Sequence, residues 1–316
     1  MVEQMHTTGA LNEVIGALRR KRALLTAGDD LHEEIRPALV ISGGILMGAF
    51  GGGVVTALYE QGFAEVFDHV IGVSTGAPTA AYFLGGNPRL GASIYAEECC
   101  TKNFIDYLRW ENVVDIGYLD RVFRGVTGKV VSESVHSSRT KLWISLTDMH
   151  TGDPLHVHPE SHEELHTALA GACRMPGVCS DEYLVRGRSV CDGALSDAMP
   201  LHFLHNLNPA PTHVLVVANY PSYGQSRMHR FLEGILYNVL LREKVSLQIR
   251  KLVRSRFAHF HRVIGEAQRA TAPKTAVLWG GNFVSALEQN SEKLAQHTAR
   301  AEKWWAQHLT DATASF

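Results

Sequence analysis

The sequence predicts an α/β fold: a mainly parallel central sheet with helices on its faces, extended by helices at both ends of the chain. Two observations carry this. The short apolar runs "PALVIS" (37–42) and "VFDHVIGV" (66–73) are each followed at once by a glycine-bearing turn and a helix-like stretch. Further strand-like runs then recur at 141–148, 212–219 and 274–280. Strand and helix alternating at this spacing is the pattern of parallel strands joined by crossover helices.

Leu11, Val14, Ile15 and Leu18 fall at helical spacing within 10–28, and Gly28 supplies a stop. The acidic stretch "DDLHEE" reads as a linker. "PALVIS" is bounded by proline and glycine, which suits a buried strand. "FGGGVVTALYEQG" (50–62) reads as a helix closed by Gly62, 66–73 as the second buried strand, and "TGAPTAAYFLGG" as the start of another helix. Residues 91–135 read as mixed helix and loop, 183–192 as strand with hairpin character, 226–264 as a long basic helical region and 284–309 as a last helix. The organisation expected is an N-terminal helix and linker (1–36), a core (37–220), and a basic helical region, last strand and final helix (221–316) packed on it, all one domain.

The 316 residues carry 30 Lys and Arg against 32 Asp and Glu, a formal net charge of −2, so charge gives no reason to expect nucleic acid as a partner. The five cysteines (Cys99, Cys100, Cys173, Cys179, Cys191) form no C-x-x-C pair. Reduced thiols in a cytoplasmic protein are expected, rather than a zinc site or a disulfide framework. The opening residues lack the basic and apolar regions of a signal peptide, and no run reaches the length of a membrane span.

Gly72-Val73-Ser74-Thr75-Gly76 fits G-x-S-x-G, the nucleophile elbow. So sharp a turn from strand to helix requires small neighbours, hence Gly72 and Gly76. It lifts the Ser74 hydroxyl clear of the sheet, while the helix opening at Thr75 aims its amides at the reacting centre. The pattern is weak alone and much stronger for following a strand and opening a helix. Gly43-Gly44-Ile45-Leu46-Met47-Gly48 ends the preceding strand, so in a right-handed βαβ unit both loops emerge on one sheet edge. An oxyanion hole from one loop and a nucleophile from the other is the natural pairing. A phosphate loop would need a lysine after Gly48, and no G-x-G-x-x-G fits Gly43–Gly53, which excludes the usual nucleotide readings.

A serine nucleophile needs a base. In α/β-hydrolases that base is a histidine, and several strands precede the elbow; here about one does. None of the 17 histidines sits in a glycine-rich loop after a strand, whereas Asp192 does, followed by Gly193. A carboxylate can serve as base directly, so Ser74 and Asp192 are the expected dyad.

In this order, "GGILMG" (43–48), "GVSTG" (72–76) and "DGA" (192–194) resemble the motifs of the patatin-like phospholipases, with "TDMHTGDPL" (147–155) and "ALAGACRMPGV" (168–178) in support. The resemblance spans roughly 37–220. It implies a three-layer α/β/α sandwich and a lipid acyl hydrolase without metal or cofactor. Ser74 would be the nucleophile, Asp192 the base, and Gly43, Gly44 and Ile45 the oxyanion donors, with Gly72, Thr75, Gly76 and Gly193 supporting the turns. Two positions depart from the pattern: Ile45 stands for the third glycine and Met47 for a basic residue. Isoleucine keeps the N–H but not the conformational freedom of glycine. A catalytically feeble member that binds lipid or membrane surfaces is therefore the alternative.

Three other features stand out in the sequence. His156 and His158 would share a strand face, but no third ligand follows at a metal-binding spacing. Ile249, Leu252, Val253, Phe257 and Phe260 mark an apolar face in the basic 226–264 region, which suits packing on the sheet with a solvated basic face, or peripheral contact with an anionic membrane. Trp304 and Trp305 suit packing, a dimer or lipid equally. A helical lid is expected from 91–135 or from 226–264.

Overall fold

The computed structural model describes residues 4–29, 33–106, 108–109, 112–125, 128–177, 179–222 and 246–311. Nine strands form one sheet. In chain order they are β1 (His6–Gly9), β2 (Pro37–Ile41), β3 (His69–Val73), β4 (Lys141–Asp148), β5 (Pro154–Val157), β6 (Tyr183–Val185), β7 (Arg188–Asp192), β8 (His213–Ala218) and β9 (Lys274–Trp279). The sheet order is β1-β9-β8-β2-β3-β4-β7-β6, with β5 also on β4. From β9 to β4 every pairing is parallel; β1, β5, β6 and β7 join antiparallel.

The helices are α1 (Leu11–Ala27), α2 (Ala49–Glu60), α3 (Gly76–Leu84), α4 (Pro88–Glu97), α5 (Ile116–Arg124), α6 (Gly128–Ser137), α7 (His162–Cys173), α8 (Leu247–Arg269) and α9 (Ser291–Asp311). Local chemistry sets several of their ends. The Asp115 and Ser161 side chains accept the N–H groups of Tyr118 and Glu164, capping α5 and α7, while Gly28 (φ 68°) ends α1.

Alternation along the central strands divides the interior into two layers, which makes the fold a three-layer sandwich. Leu39, Ile41, Val70, Leu215 and Val217 face the layer closed by α1, α2, α3, α7 and α9. Ala38, Val40, Ile71, Val214 and Val216 face the opposite layer, closed by residues 198–207 and by Phe260, Val263 and Ile264 of α8. The central strands are buried on both faces, and so their sequences are continuous apolar runs rather than alternating ones.

The structure differs from the expectations in three places. Two strands precede the elbow strand, because "HTTG" forms edge strand β1; four residues without apolar alternation carry no signal. β5 likewise carries no strand signal, since it opens on Pro154 and spans four residues. Residues 66–68 turn before β3 begins, and Phe67 is apolar because its ring packs edge-on to Phe83. The hairpin expected over 183–192 forms as β6–β7, turning through Arg186 and Gly187 at φ 50° and 74°. The expected helical segment 226–245 lies outside the described residues.

Trp305 is fully buried in the core, and Trp304 packs 6.1 Å from Phe50, so both tryptophans are used in packing. All five cysteines are free, and Cys191, fully buried, is shielded from bulky reagents. No helix of the described residues is long and apolar enough to cross a membrane.

Candidate active site

β2 and β3 are adjacent and parallel, with Ile41 registered on Gly72. The loops leaving both strands therefore meet at one sheet edge, which is where crossover topology puts ligand sites. Ser74 follows β3 directly and holds φ 54°, the left-handed conformation that an elbow demands of its central residue. Thr75 stands at the first position before α3, and the Ser74 carbonyl accepts the Ala77 N–H at 2.9 Å.

The flanking glycines answer to close approach. A Cβ on Gly72 would run into the Ala77 backbone, and one on Gly76 into the Ile41 and Ser42 carbonyls. A Cβ on Gly43 would stand 2.6 Å from the Ser74 Cβ, so the glycine loop and the elbow are in contact. On the far side, Gly193 lies against the Ser145 carbonyl of β4, where no side chain fits.

β7 ends on Asp192 next to this edge. The Ser74 hydroxyl donates to Asp192 Oδ2 at 2.7 Å, and Asp192 Oδ1 accepts the Ala194 N–H at 2.8 Å. Both residues are 5% exposed. Burial pushes the Asp192 carboxyl up from 3.8 to about 6, against the opposing pull of the Ala194 N–H, the Ser74 hydroxyl and the positive charge of Arg256. Two segments grip the Asp192 backbone. Its N–H donates to the Arg174 carbonyl at 2.9 Å, and its carbonyl accepts the Thr147 hydroxyl at 2.8 Å. Thr147 has one proton and spends it on that carbonyl, so in its 2.7 Å contact with Ser196 the Ser196 hydroxyl donates. These grips come from the 147–155 and 168–178 stretches that the sequence singled out.

In the glycine loop, no carbonyl of the described residues accepts the N–H of Gly43, Gly44 or Ile45. These donors are available at the same edge as Ser74. Ile45 holds φ 52°, so isoleucine occupies a left-handed conformation that suits glycine and strains a β-branched side chain. Met47 is 7% exposed and belongs to the apolar core, so this loop offers no cation.

Two positioning residues escaped the sequence reading. Asn219 follows β8 and is 1% exposed; it donates to the Ser42 carbonyl at 2.6 Å and accepts the Gly51 N–H at 2.9 Å. Its own N–H donates to the Ser42 hydroxyl at 2.9 Å, so it ties both ends of the glycine loop to the sheet. Tyr95 of α4 donates to the Thr75 carbonyl at 3.0 Å and packs against Gly48, bracing elbow and glycine loop together. A single asparagine after a strand, or a tyrosine in a helix, has no sequence signature for such work.

His156 Nε2 stands 3.5 Å from Asp197 Oδ2, whereas His158 Nδ1 lies 2.8 Å from the Leu142 carbonyl oxygen, so the two imidazoles have different partners. Of the segments expected to cover the site, α8 packs on the 193–195 turn that follows Asp192. Ile249 and Phe260 of its apolar face are buried, and Lys251 is exposed. Arg256, counted from the sequence with the solvated basic face, is instead 9% exposed.

The family model for the patatin-like phospholipases matches residues 39–205, which hold every motif above. No curated protein matches the chain. Among solved structures, VipD from Legionella pneumophila is similar, with a TM-score of 0.50 at 13% identity. That similarity covers 87% of this chain and 66% of the VipD chain, so this chain spans just under two thirds of VipD's length. A structure of SpcU in complex with ExoU, from the type III secretion system of Pseudomonas aeruginosa, matches at a TM-score of 0.30 and 14% identity, over 70% of this chain and 53% of that one.

Proposed function

This chain belongs to the patatin-like phospholipase family, and from that premise we propose that it is a serine acyl-ester hydrolase acting on lipid or short-chain esters through a Ser74–Asp192 dyad. The observation that carries the reading is the 2.7 Å hydrogen bond from Ser74 to a buried carboxylate, made by a serine on a left-handed elbow.

The chemistry follows from the positions of these groups. Ser74 Oγ attacks the ester carbonyl while its proton passes to Asp192 Oδ2. A carboxyl raised to about 6 is a better proton acceptor than one at 3.8, yet is still ionised at neutral pH. The N–H groups of Gly43, Gly44 and Ile45 stabilise the oxyanion, and the alcohol leaves with the proton held by Asp192. Water, deprotonated by Asp192, then attacks the acyl group on Ser74; the carboxylic acid departs and the serine regains its proton.

The second reading, a feeble or inactive protein that binds lipid, draws on the strained Ile45 and the apolar Met47 in the donor loop. Peripheral contact with an anionic lipid surface is part of either reading, supported by the outer side of α8 with its exposed Lys251 and Arg262.

The test is hydrolysis of p-nitrophenyl esters from C2 to C16, and of dioleoyl phosphatidylcholine, by the native protein and Ser74→Ala. Turnover abolished in the variant supports the hydrolase, and the chain-length profile separates esterase from lipase. Absence of turnover in the folded native protein, with vesicle binding that Ser74→Ala leaves unchanged, selects the second reading.

A further inference from the structure

α8 lays one face on the segment that carries Asp192. Ile249 and Leu252 pack with Cys191 and Leu195. A Cβ on Gly152 would stand 2.8 Å from the Gln248 side chain, so the start of α8 also rests on the turn after β4. Further along, His259 Nε2 stands 3.5 Å from Asp197 Oδ1. Positions 249, 252, 256 and 259 form one stripe at helical spacing. Arg256 therefore sits between an apolar contact and a histidine–carboxylate contact, both made to residues 191–197.

A guanidinium taken out of water is tolerated where it faces negative charge. Residues 191–197 contain two carboxylates, Asp192 and Asp197. Asp197 is served by His156 and His259, each 3.5 Å away: burial pushes its carboxyl up, but the two imidazoles beside it outweigh that and leave it lowered. Asp192 receives neutral donors from Ser74 and Ala194. The thiols that bear on it, Cys173 of α7, Cys191 of β7 and Cys179, are pushed up by burial and stay uncharged. Among the described residues, the charge that acts on Asp192 from a neighbouring element is that of Arg256, and its sign favours the carboxylate.

We propose that Arg256 is the positioning cation of this site: from α8 it supplies the positive charge that the glycine loop lacks at Met47, and so keeps the buried Asp192 ionised and ready to take the Ser74 proton. This rests on the dyad reading above. Arg256 acts through Asp192 rather than on substrate, so its signature is a pH effect that is the same for neutral and anionic esters.

The experiment compares native protein, Arg256→Met and Arg256→Lys from pH 4.5 to 9 by kcat and KM on a neutral and on an anionic p-nitrophenyl ester and by the rate of fluorophosphonate labelling of Ser74. Removing the cation leaves Asp192 harder to ionise. Arg256→Met should shift the acid limb of the activity and labelling profiles upward by about 0.5–1 pH unit, a loss of roughly 3–10-fold on that limb with little loss above pH 8. Arg256→Lys should restore most of it. If Arg256→Met fails to fold, Arg256→Gln serves in its place. A rate lowered equally at every pH, with a lower Tm, would reduce Arg256 to packing and overturn the proposal. So would an effect on KM confined to an anionic ester, which would make the arginine a substrate contact. If the native protein neither turns over esters nor labels at Ser74, it is the dyad reading that fails; an unmoved limb in an active, labelled protein sinks this inference alone.

Discussion

Replacing Asp192 with asparagine keeps the shape of the side chain and removes its charge. The amide oxygen can still accept the Ala194 N–H, and the amide nitrogen can donate to Ser74. What disappears is the cost of an ionised carboxylate in a site 5% exposed. Its carboxyl is raised from 3.8 to about 6, a figure that already contains the opposing pull of Arg256. A shift of about two units corresponds to roughly 3 kcal/mol. The folded value lies above the unfolded one, so the associated stability is fully present below about pH 4 and lost as pH rises through about 6. Asp192→Asn should therefore match the native protein near pH 4 and exceed it at pH 8 by up to roughly 3 kcal/mol. For a chain of 316 residues at about 2 cal/mol/K of unfolding entropy per residue, this is a gain of roughly 4–5 °C in Tm. Ester hydrolysis should fall about 10²–10⁴-fold in the same variant, since the base is gone. Thermal melts at pH 4.5, 6 and 8 beside rate measurements read both effects. A variant no more stable at pH 8 than the native protein, or one whose gain does not depend on pH, would refute the reasoning.

Three further outcomes follow from the same geometry. The kcat/KM of the native protein should fall tenfold per unit below about pH 6 as Asp192 takes up a proton; a profile flat to pH 4.5 would remove the carboxylate from the base role. Ile45→Gly relieves the φ of 52° while keeping the N–H, so ester turnover should rise several-fold with stability changed by less than about 1 kcal/mol; a slower enzyme would mean that the isoleucine side chain itself serves the site. Asn219→Ala leaves the Ser42 carbonyl and the Gly51 N–H without their buried partner and should cost about 2–4 kcal/mol in a urea titration, with activity falling further than Tm alone explains; a neutral effect would show that the loop holds its shape unaided.

Some elements were legible in the sequence because their physics is local. A strand buried on both faces is written as an apolar run, and 37–41 and 70–73 are such runs. The elbow must have small residues at 72 and 76 because backbone passes there, and only glycine fits. Asp192 stood out as a carboxylate at a strand end followed by Gly193. What stayed hidden depends on contacts distant in the chain. Asn219 works on a loop some 170 residues earlier, and Tyr95 braces two turns that its own helix does not contain. Arg256 looked like one more cation on a basic helix, since helical periodicity assigns faces but does not say which neighbour a face meets. β1 is strand only because β9 offers it an edge, with Thr8 registered on Val277.

The central claim is that Ser74 is a nucleophile activated by Asp192. Its most direct test is covalent: incubate native protein, Ser74→Ala and Asp192→Asn with a fluorophosphonate at pH 8, digest, and locate the adduct by mass spectrometry. The account predicts one stoichiometric adduct on the peptide containing Ser74, none there in Ser74→Ala, and labelling slowed at least a hundredfold in Asp192→Asn. An adduct on another residue, or Ser74 labelled as fast without Asp192 as with it, would contradict it.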